Sequence, residues 1–220
     1  GVGWCLVASM TTHPESCDVF FIRHAPVVKQ RGHLPPADPP IQPRTFDVTP
    51  LVSQLPTSAD WHVSPLLRTQ QTADLLTPSL APAGLSSAPQ LVEMDFGSWH
   101  DRPVAEAWDQ IKDGPLHNWA FLTAERMAPQ GESFAMLADR VAGWMRQLEG
   151  DFSPCARIVI THAGVIRAAL ALALAAPLDH VVGIPVPHFG VLKLTLMDPA
   201  RATEAGGRWL FSSLTDHGVT

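Results

Sequence analysis

Two histidines stand directly after two apolar segments that are typical of buried strands. The segment DVFFI leads into Arg23 and His24, and the segment RIVI leads through Thr161 into His162. Open α/β sheets bind their ligands at the carboxyl ends of their strands. If these two strands are neighbours in the sheet, both imidazoles lie in one crevice at that edge.

The same crevice would contain arginine side chains. Arg23 precedes His24, and Arg68 lies near the start of a predicted helix that follows another strand. A guanidinium group suits phosphate because its forked donors match the phosphate oxygens and it remains charged at any working pH. An unprotonated histidine, held by a hydrogen bond on its second nitrogen, can attack phosphorus. The residues alone favour an anion pocket, with a satisfied polar histidine and a surface arginine as the plainer alternatives.

The elements that must position these residues alternate between short strands and helices, which predicts a largely parallel sheet covered by helices. Strands are predicted at residues 18–22, 60–63, 90–92, 157–160, 191–197 and 208–212. Helices are predicted at residues 104–121, 132–148 and 165–175, with a weak one at 50–55.

Two local predictions concern the surroundings of Arg68. Ser64 is expected to cap the helix, with Pro65 at its first position, and this role is favoured over a contact with phosphate. The Pro-rich residues 34–50 are predicted to form a surface loop, because so many of them lack a backbone donor.

Length and composition limit the classes of protein that fit. The 220 residues allow one sizeable domain, predicted over residues 18–220, after a disordered segment over residues 1–17 in which Met10 is a candidate natural start. The net charge is −6 and no basic run occurs, so neither a nucleic acid nor an anionic membrane surface is expected as a partner. No apolar stretch reaches the ~18 residues of a membrane-spanning helix.

Cysteine and histidine spacing carry two further expectations. The three cysteines form no CxxC pair and favour idle thiols in a reducing cytoplasm. The histidines show no HxxxH or HxH spacing, so we expect no metal centre, and no cofactor is expected either.

Five motifs, in order, resemble signatures of the histidine phosphatase (phosphoglycerate mutase-like) superfamily. FFIRHAPVV resembles its RHG motif, with Ala25 in place of the usual glycine. The other four are SPLLRTQQTADLL, LVEMDFGSW, PQGESFAMLADRV and VITHAGVIRAAL, similar to its second-arginine motif, acid loop, GES helix and second-histidine motif. The resemblance covers roughly residues 18–196 and implies a three-layer α/β/α sandwich with a mostly parallel central sheet.

The resemblance also implies roles for the residues that match the motifs. His24 corresponds to the nucleophile that becomes phosphorylated, and Arg23, Arg68 and His162 correspond to the groups that hold the phosphoryl oxygens. Gln30 stands where many members have an asparagine that touches phosphate.

Glu93 corresponds to the acid that protonates the leaving group and later activates water. A leaving alkoxide is a very strong base, so its departure requires a positioned acid. Asp95 and Asp101 are nearby alternatives for this role, and an exposed loop glutamate is the plainer interpretation of Glu93.

Other residues receive smaller roles. Glu132 and Ser133 are expected to fix the start of the GES helix, and Arg167 to brace its own helix rather than to contact substrate. His188 is expected to be a surface histidine.

The implied function is metal-independent hydrolysis of a phosphate monoester of a small metabolite. The motifs look most like the α-ribazole phosphatase branch, which acts in cobalamin assembly. His33 and His100 are among the departures from the family pattern, and these departures lie at the rim that is expected to meet the leaving group. The motifs therefore do not determine the identity of the substrate. A phosphoglycerate mutase-type transfer and a non-catalytic phosphate-binding protein are the alternatives, and a homodimer is left open.

Overall fold

A six-stranded sheet forms the centre of the computed structural model, which describes residues 16–203 and 205–220. The strands are β1 (Ser16–Arg23), β2 (Asp60–Val63), β3 (Gly84–Ser87), β4 (Arg157–Thr161), β5 (Val191–Met197) and β6 (Trp209–Thr215). Their order is β3-β2-β4-β1-β5-β6, in which β1 to β4 are mutually parallel and β5 runs antiparallel to both of its neighbours. Disorder was predicted for residues 1–17. Ser16 and Cys17 instead form the start of β1, and residues 1–15 lie outside the described residues.

Helices cover both faces of this sheet. They are α1 (Thr49–Val52), α2 (Leu67–Leu80), α3 (Val104–Ile111), α4 (Phe134–Gly150) and α5 (Ala163–Leu174), with short 3-10 turns at Pro89–Leu91, Gly97–Trp99 and Leu178–His180. No helix in the described ranges is long and apolar enough to cross a membrane.

Alternate residues of β4 show how the layers are built. Ile158 and Ile160 join the apolar cluster under α1 and α2, whereas Val159 joins the cluster under α4 and α5. All five residues of this strand are buried, as expected for a strand that is covered on both faces. The predicted three-layer α/β/α sandwich with a mostly parallel sheet is therefore confirmed.

The pairing of β1 with β4 places the two candidate histidines next to each other. The strands are parallel neighbours, and Arg23 lies opposite Thr161 in the register. His24 directly follows Arg23, and His162 directly follows Thr161. The His24 amide donates to the Thr161 carbonyl at 3.0 Å. The condition set by the sequence, that these strands be neighbours, is met.

The predicted strand at residues 90–92 is wrong. This segment forms the 3-10 turn Pro89–Leu91, and the strand lies earlier, at Gly84–Ser87. Every residue of β3 is exposed, so it carries no buried apolar pattern from which a strand could be predicted.

The predicted helix over residues 104–121 is also too long, because α3 ends at Ile111. Gly114 and Pro115 follow shortly after, and proline restricts the preceding residue and cannot continue the hydrogen-bond ladder.

The start of α2 differs from its prediction as well. The helix begins at Leu67 rather than at Pro65, and Ser64 does not cap it. Instead, the Leu67 amide donates to the carboxylate of Asp38 at 2.8 Å. The Pro-rich loop therefore supplies the hydrogen-bond acceptor at this helix start that was predicted to come from Ser64.

The two faces of α4 allow a test of this packing. Leu137 is fully buried and the adjacent Met136 is 51% exposed. Replacing Leu137 with alanine leaves a cavity, so we expect the free energy of unfolding in urea to fall by about 2–5 kcal/mol. Met136→Ala is the matched control and should cost less than about 1 kcal/mol. Equal losses in the two variants would contradict the orientation of this helix.

Candidate active site

His24 is almost completely buried at the end of β1, and its two ring nitrogens have different partners. Its Nδ1 lies 2.7 Å from the carbonyl oxygen of Ala25, which can only accept, so Nδ1 carries the proton. Arg68 donates through Nε to His24 Nε2 at 3.3 Å. Nε2 is therefore the unprotonated nitrogen of the ring, as a nucleophilic histidine requires.

His162 lies beside His24, with 5.2 Å between the ring centroids, and is fully buried. Its Nε2 is hydrogen-bonded to Ser64 Oγ at 2.8 Å. Its Nδ1 has no hydrogen-bond partner among the described residues. Ser64 thus fixes the ring of the second histidine, a role that differs from the helix cap predicted for it.

Burial keeps both imidazoles neutral. It is the main cause that lowers the pKa of His24 well below its ordinary value, with Arg68 and Arg23 lowering it further. The pKa of His162 is lowered well below its ordinary value in the same way, first by burial and then by Arg68.

Two arginines face this pair of histidines. Arg23 donates to the carbonyl of Val186, while its buried Nε has no partner in the part of the chain that is described. Burial lowers the pKa of Arg23 to about 10, so it remains protonated at neutral pH. Arg68 Nη1 lies 3.6 Å from the carboxylate of Asp38 and donates to the Ala37 carbonyl at 3.2 Å.

A cavity of about 370 Å³, called here the histidine cavity, brings four of the predicted residues together: Arg23, His24, Arg68 and Glu93. The Pro-rich loop and the segment after β1 add residues that the sequence did not single out, namely Lys29, Arg31 and Gln42. Gln30 is exposed and does not line the cavity, although both of its neighbours do. The described residues contain no group of three or more His, Cys, Asp or Glu side chains arranged to hold a metal ion.

Glu93 is held in this cavity by backbone donors. Its carboxylate accepts from the Met94 amide at 2.9 Å and from the Gly164 amide at 3.3 Å. A Cβ at Gly164 would lie 2.3 Å from the Glu93 carboxylate, so any larger residue here would displace that carboxylate from its present position. Arg140 donates to the backbone carbonyls of Gln90 and Glu93, which fixes the loop from behind.

The GES segment ties this loop to α4. Ser133 caps the helix by accepting from the Met136 amide at 3.2 Å. Glu132 pairs with Arg140 at 2.8 Å and accepts from the Asp95 amide at 3.3 Å. The predicted role of these two residues at the helix start is confirmed.

The two alternative acids point elsewhere. The Asp95 carboxylate accepts from the Gly97 amide at 2.7 Å and lies 3.0 Å from His100 Nε2. Both contacts are with residues of the segment that follows Asp95 in the sequence. Neither Asp95 nor Asp101 lines the histidine cavity, whereas Glu93 does.

The two histidines that depart from the family pattern join the Pro-rich loop to the acid loop. His33 Nδ1 lies 2.9 Å from the Asp101 carbonyl, and His100 Nδ1 lies 3.2 Å from the Pro35 carbonyl. These contacts give both residues a structural role at the rim.

His188 is not the surface residue that was expected. It lines the histidine cavity, its ring centroid is 5.4 Å from that of His24, and its Nδ1 is hydrogen-bonded to the His24 carbonyl at 3.0 Å. Burial, together with Arg23, lowers the pKa of His188 to about 4. The signal for this position is the antiparallel pairing of β5 with β1, which brings the loop before β5 to the end of β1.

Arg167 has the bracing role that was expected, because its Nε donates to the Ile184 carbonyl at 2.7 Å. It also lines a second cavity, which adjoins the first at Glu93.

Comparisons with solved structures show the same fold. A mycobacterial glucosyl-3-phosphoglycerate phosphatase is 16% identical with a TM-score of 0.66, over 82% of this chain and 90% of that one. A putative alpha-ribazole-5'-P phosphatase from Escherichia coli is 20% identical with a TM-score of 0.68, over 91% and 97%. A phosphoserine phosphatase from Entamoeba histolytica is 13% identical with a TM-score of 0.65, over 92% and 98%.

No curated protein matches the sequence. A family model does match, however, and it extends over residues 19–205, which include both histidines, both arginines and the acid loop. The chain therefore belongs to the histidine phosphatase superfamily (branch 1).

Proposed function

We propose that this protein hydrolyses phosphate monoesters of a small metabolite through a phosphohistidine on His24, without a metal ion or a cofactor. The observation that carries the proposal is the histidine cavity, in which Nε2 of a neutral histidine, two arginines and a carboxylate meet. Phosphoryl transfer depends mainly on positioning and on fixed cations that stabilise the developing charge, and this cavity supplies both.

The reaction takes place in two displacements. In the first, His24 Nε2 attacks phosphorus, the ester P–O bond breaks, and Glu93 donates a proton to the departing alkoxide. In the second, a water molecule attacks phosphorus through its oxygen, and Glu93 takes a proton from that water. The P–N bond then breaks, its electron pair returns to Nε2, and inorganic phosphate leaves.

Two buried nitrogens without partners support the assignment of the oxygen-binding groups. Arg23 Nε and His162 Nδ1 lie in a region where an unpaired polar atom is costly, unless a ligand pairs with it. When Ser64 donates to His162 Nε2, the proton of that ring resides on Nδ1, which becomes a donor for a phosphoryl oxygen.

We propose α-ribazole 5'-phosphate as the first substrate to test, which would place the protein in cobalamin assembly in the cytoplasm. The resemblance of the motifs supports this candidate, and one structure of the same fold is described as a putative phosphatase of that compound. A screen of phosphorylated metabolites tests it. Conversion of 3- to 2-phosphoglycerate well above hydrolysis would instead establish a mutase.

The nucleophile is tested by His24→Ala. Because this change removes the nitrogen that would form the P–N bond, we expect turnover of p-nitrophenyl phosphate to fall by about a thousandfold or more. His217→Ala is the matched control, since His217 does not line the histidine cavity, and it should retain wild-type activity. Equal rates in the wild type and His24→Ala would end the assignment.

The acid is tested by Glu93→Gln with two substrates. An alkyl leaving group needs protonation, so we expect kcat for an alkyl phosphate to fall by about a hundredfold or more. For p-nitrophenyl phosphate, whose leaving group is a weak base, the loss should be less than about tenfold. Asp101→Asn, the control, should change neither rate. Similar losses for both substrates in Glu93→Gln would contradict the role of Glu93.

The protonation state of the nucleophile is tested by NMR titration of the free protein, with the His24 signal identified by its absence in His24→Ala. Protonation would add a positive charge to a buried ring beside Arg68 and Arg23, which disfavours the charged form. The ring should therefore remain neutral as pH falls through 6.5, the ordinary value. A midpoint at or above 6.5 would contradict this description of the site.

A further inference from the structure

A second cavity, called here the apolar cavity, opens beside the histidine cavity and has a volume of about 410 Å³. Glu93 and Phe96 line both cavities. Because Glu93 is the proposed acid, a group that occupies the apolar cavity lies on the side from which the leaving oxygen is protonated. The apolar cavity therefore adjoins the position that the leaving alcohol would occupy.

The lining of this cavity is chemically unlike that of its neighbour. Its wall consists mainly of aromatic and aliphatic side chains, among them Phe96, Phe121, Leu122, Phe134 and Val182. A volume of this size with such a wall is typical of a pocket for a small organic molecule, since these pockets range over about 300–1,000 Å³. A phosphate group alone would leave this volume unused.

Charge distribution separates the two cavities further. Among the described residues that line the apolar cavity, Arg167 and Glu93 alone can carry a charge, and their charges have opposite signs. The histidine cavity contains Arg23, Arg68 and two exposed basic residues as well as Glu93. A leaving group with a second anionic group would meet a single cation there, Arg167, when Glu93 is protonated as the proposed acid, whereas an apolar body would lose little on entering the cavity.

Trp119 stands at the rim of the apolar cavity and is 83% exposed. An indole that remains so exposed next to an apolar cavity offers a flat surface on which a planar ring can stack. The segment that carries Trp119 is held in place, because the Ala124 amide donates to the Asp179 carboxylate at 2.6 Å and His117 is hydrogen-bonded to the Asp179 carbonyl.

We propose that the apolar cavity binds the body of the leaving alcohol, and that the preferred substrates are phosphate monoesters of alcohols carrying an aromatic ring system. This inference rests on the proposed phosphatase activity and specifies its substrate class. Phe121 and Trp119 bind the ring system, and Arg167 interacts with a polar atom on it. The esters of small anionic alcohols, such as phosphoglycerate, are poor substrates.

The test compares naphthylethyl phosphate with ethyl phosphate, whose leaving groups are both primary alkoxides. We expect kcat/KM to be at least about tenfold higher for naphthylethyl phosphate, and phosphoglycerate to be no better than ethyl phosphate. Equal kcat/KM for the first two, or a preference for phosphoglycerate, would overturn the inference while the phosphatase activity stands. No hydrolysis of any ester would overturn the proposed function itself.

Variants locate the preference in the cavity. Trp119→Ala and Phe121→Ala should each lower kcat/KM for naphthylethyl phosphate by roughly tenfold, mainly through KM, and change that for ethyl phosphate less than about twofold. Unchanged ethyl phosphate turnover also reports that each variant is folded. Phe211→Ala, on the exposed side of β6, is the matched control and should change neither value. Equal losses for both esters would contradict the proposed subsite.

Naphthylethanol gives an independent measurement, because it lacks the phosphate that the histidine cavity binds. We expect it to inhibit hydrolysis of p-nitrophenyl phosphate competitively, with weaker inhibition in Trp119→Ala. Absence of inhibition in the wild type, or inhibition of the same strength in Trp119→Ala and Phe211→Ala, would overturn the subsite.

Discussion

The site depends on the in-register pairing of β1 with β4, since Arg23 opposite Thr161 leaves His24 and His162 with no position except side by side. Both rings are thereby buried at 5.2 Å from each other. Burial disfavours a positive charge on either imidazole, so the electron pair on His24 Nε2 stays available. The same burial leaves Arg23 Nε without a partner among the described residues, and this donor is one that an anion can satisfy.

The end of β4 also supports the acid on the other side of the pocket. Thr161 Oγ1 donates to the Leu91 carbonyl at 2.8 Å, which holds the acid loop to the strand. The Gly164 amide, in the first turn of α5, donates to the Glu93 carboxylate. Arg140 then fixes the same loop from α4. His162 and Glu93, the proposed acid, therefore share one support, so a shift of β4 would displace both.

Local sequence predicted the parts of the fold that burial alone determines. The runs ending at His24 and His162 are apolar because both faces of their strands are covered, and that pattern is visible in the sequence. Other features depend on tertiary contacts. Asp38, in a loop distant in sequence, accepts from the Leu67 amide at the start of α2, and Ser64 is instead hydrogen-bonded to His162. The position of His188 likewise follows from strand pairing and from no local pattern.

The segments that were hardest to predict are also those that line the apolar cavity. Leu34 comes from the Pro-rich loop, and Trp119 and Phe121 come from the stretch that was expected to be helical. Their backbones are not fixed by a sheet ladder, so their course depends on contacts such as those of Asp179. The residues of the proposed phosphoryl-transfer site lie at strand ends, which constrain them tightly, whereas the proposed leaving-group side consists of loops that can change without moving His24. Substitutions in these loops can therefore change which alcohol is accepted while the proposed nucleophile stays in place.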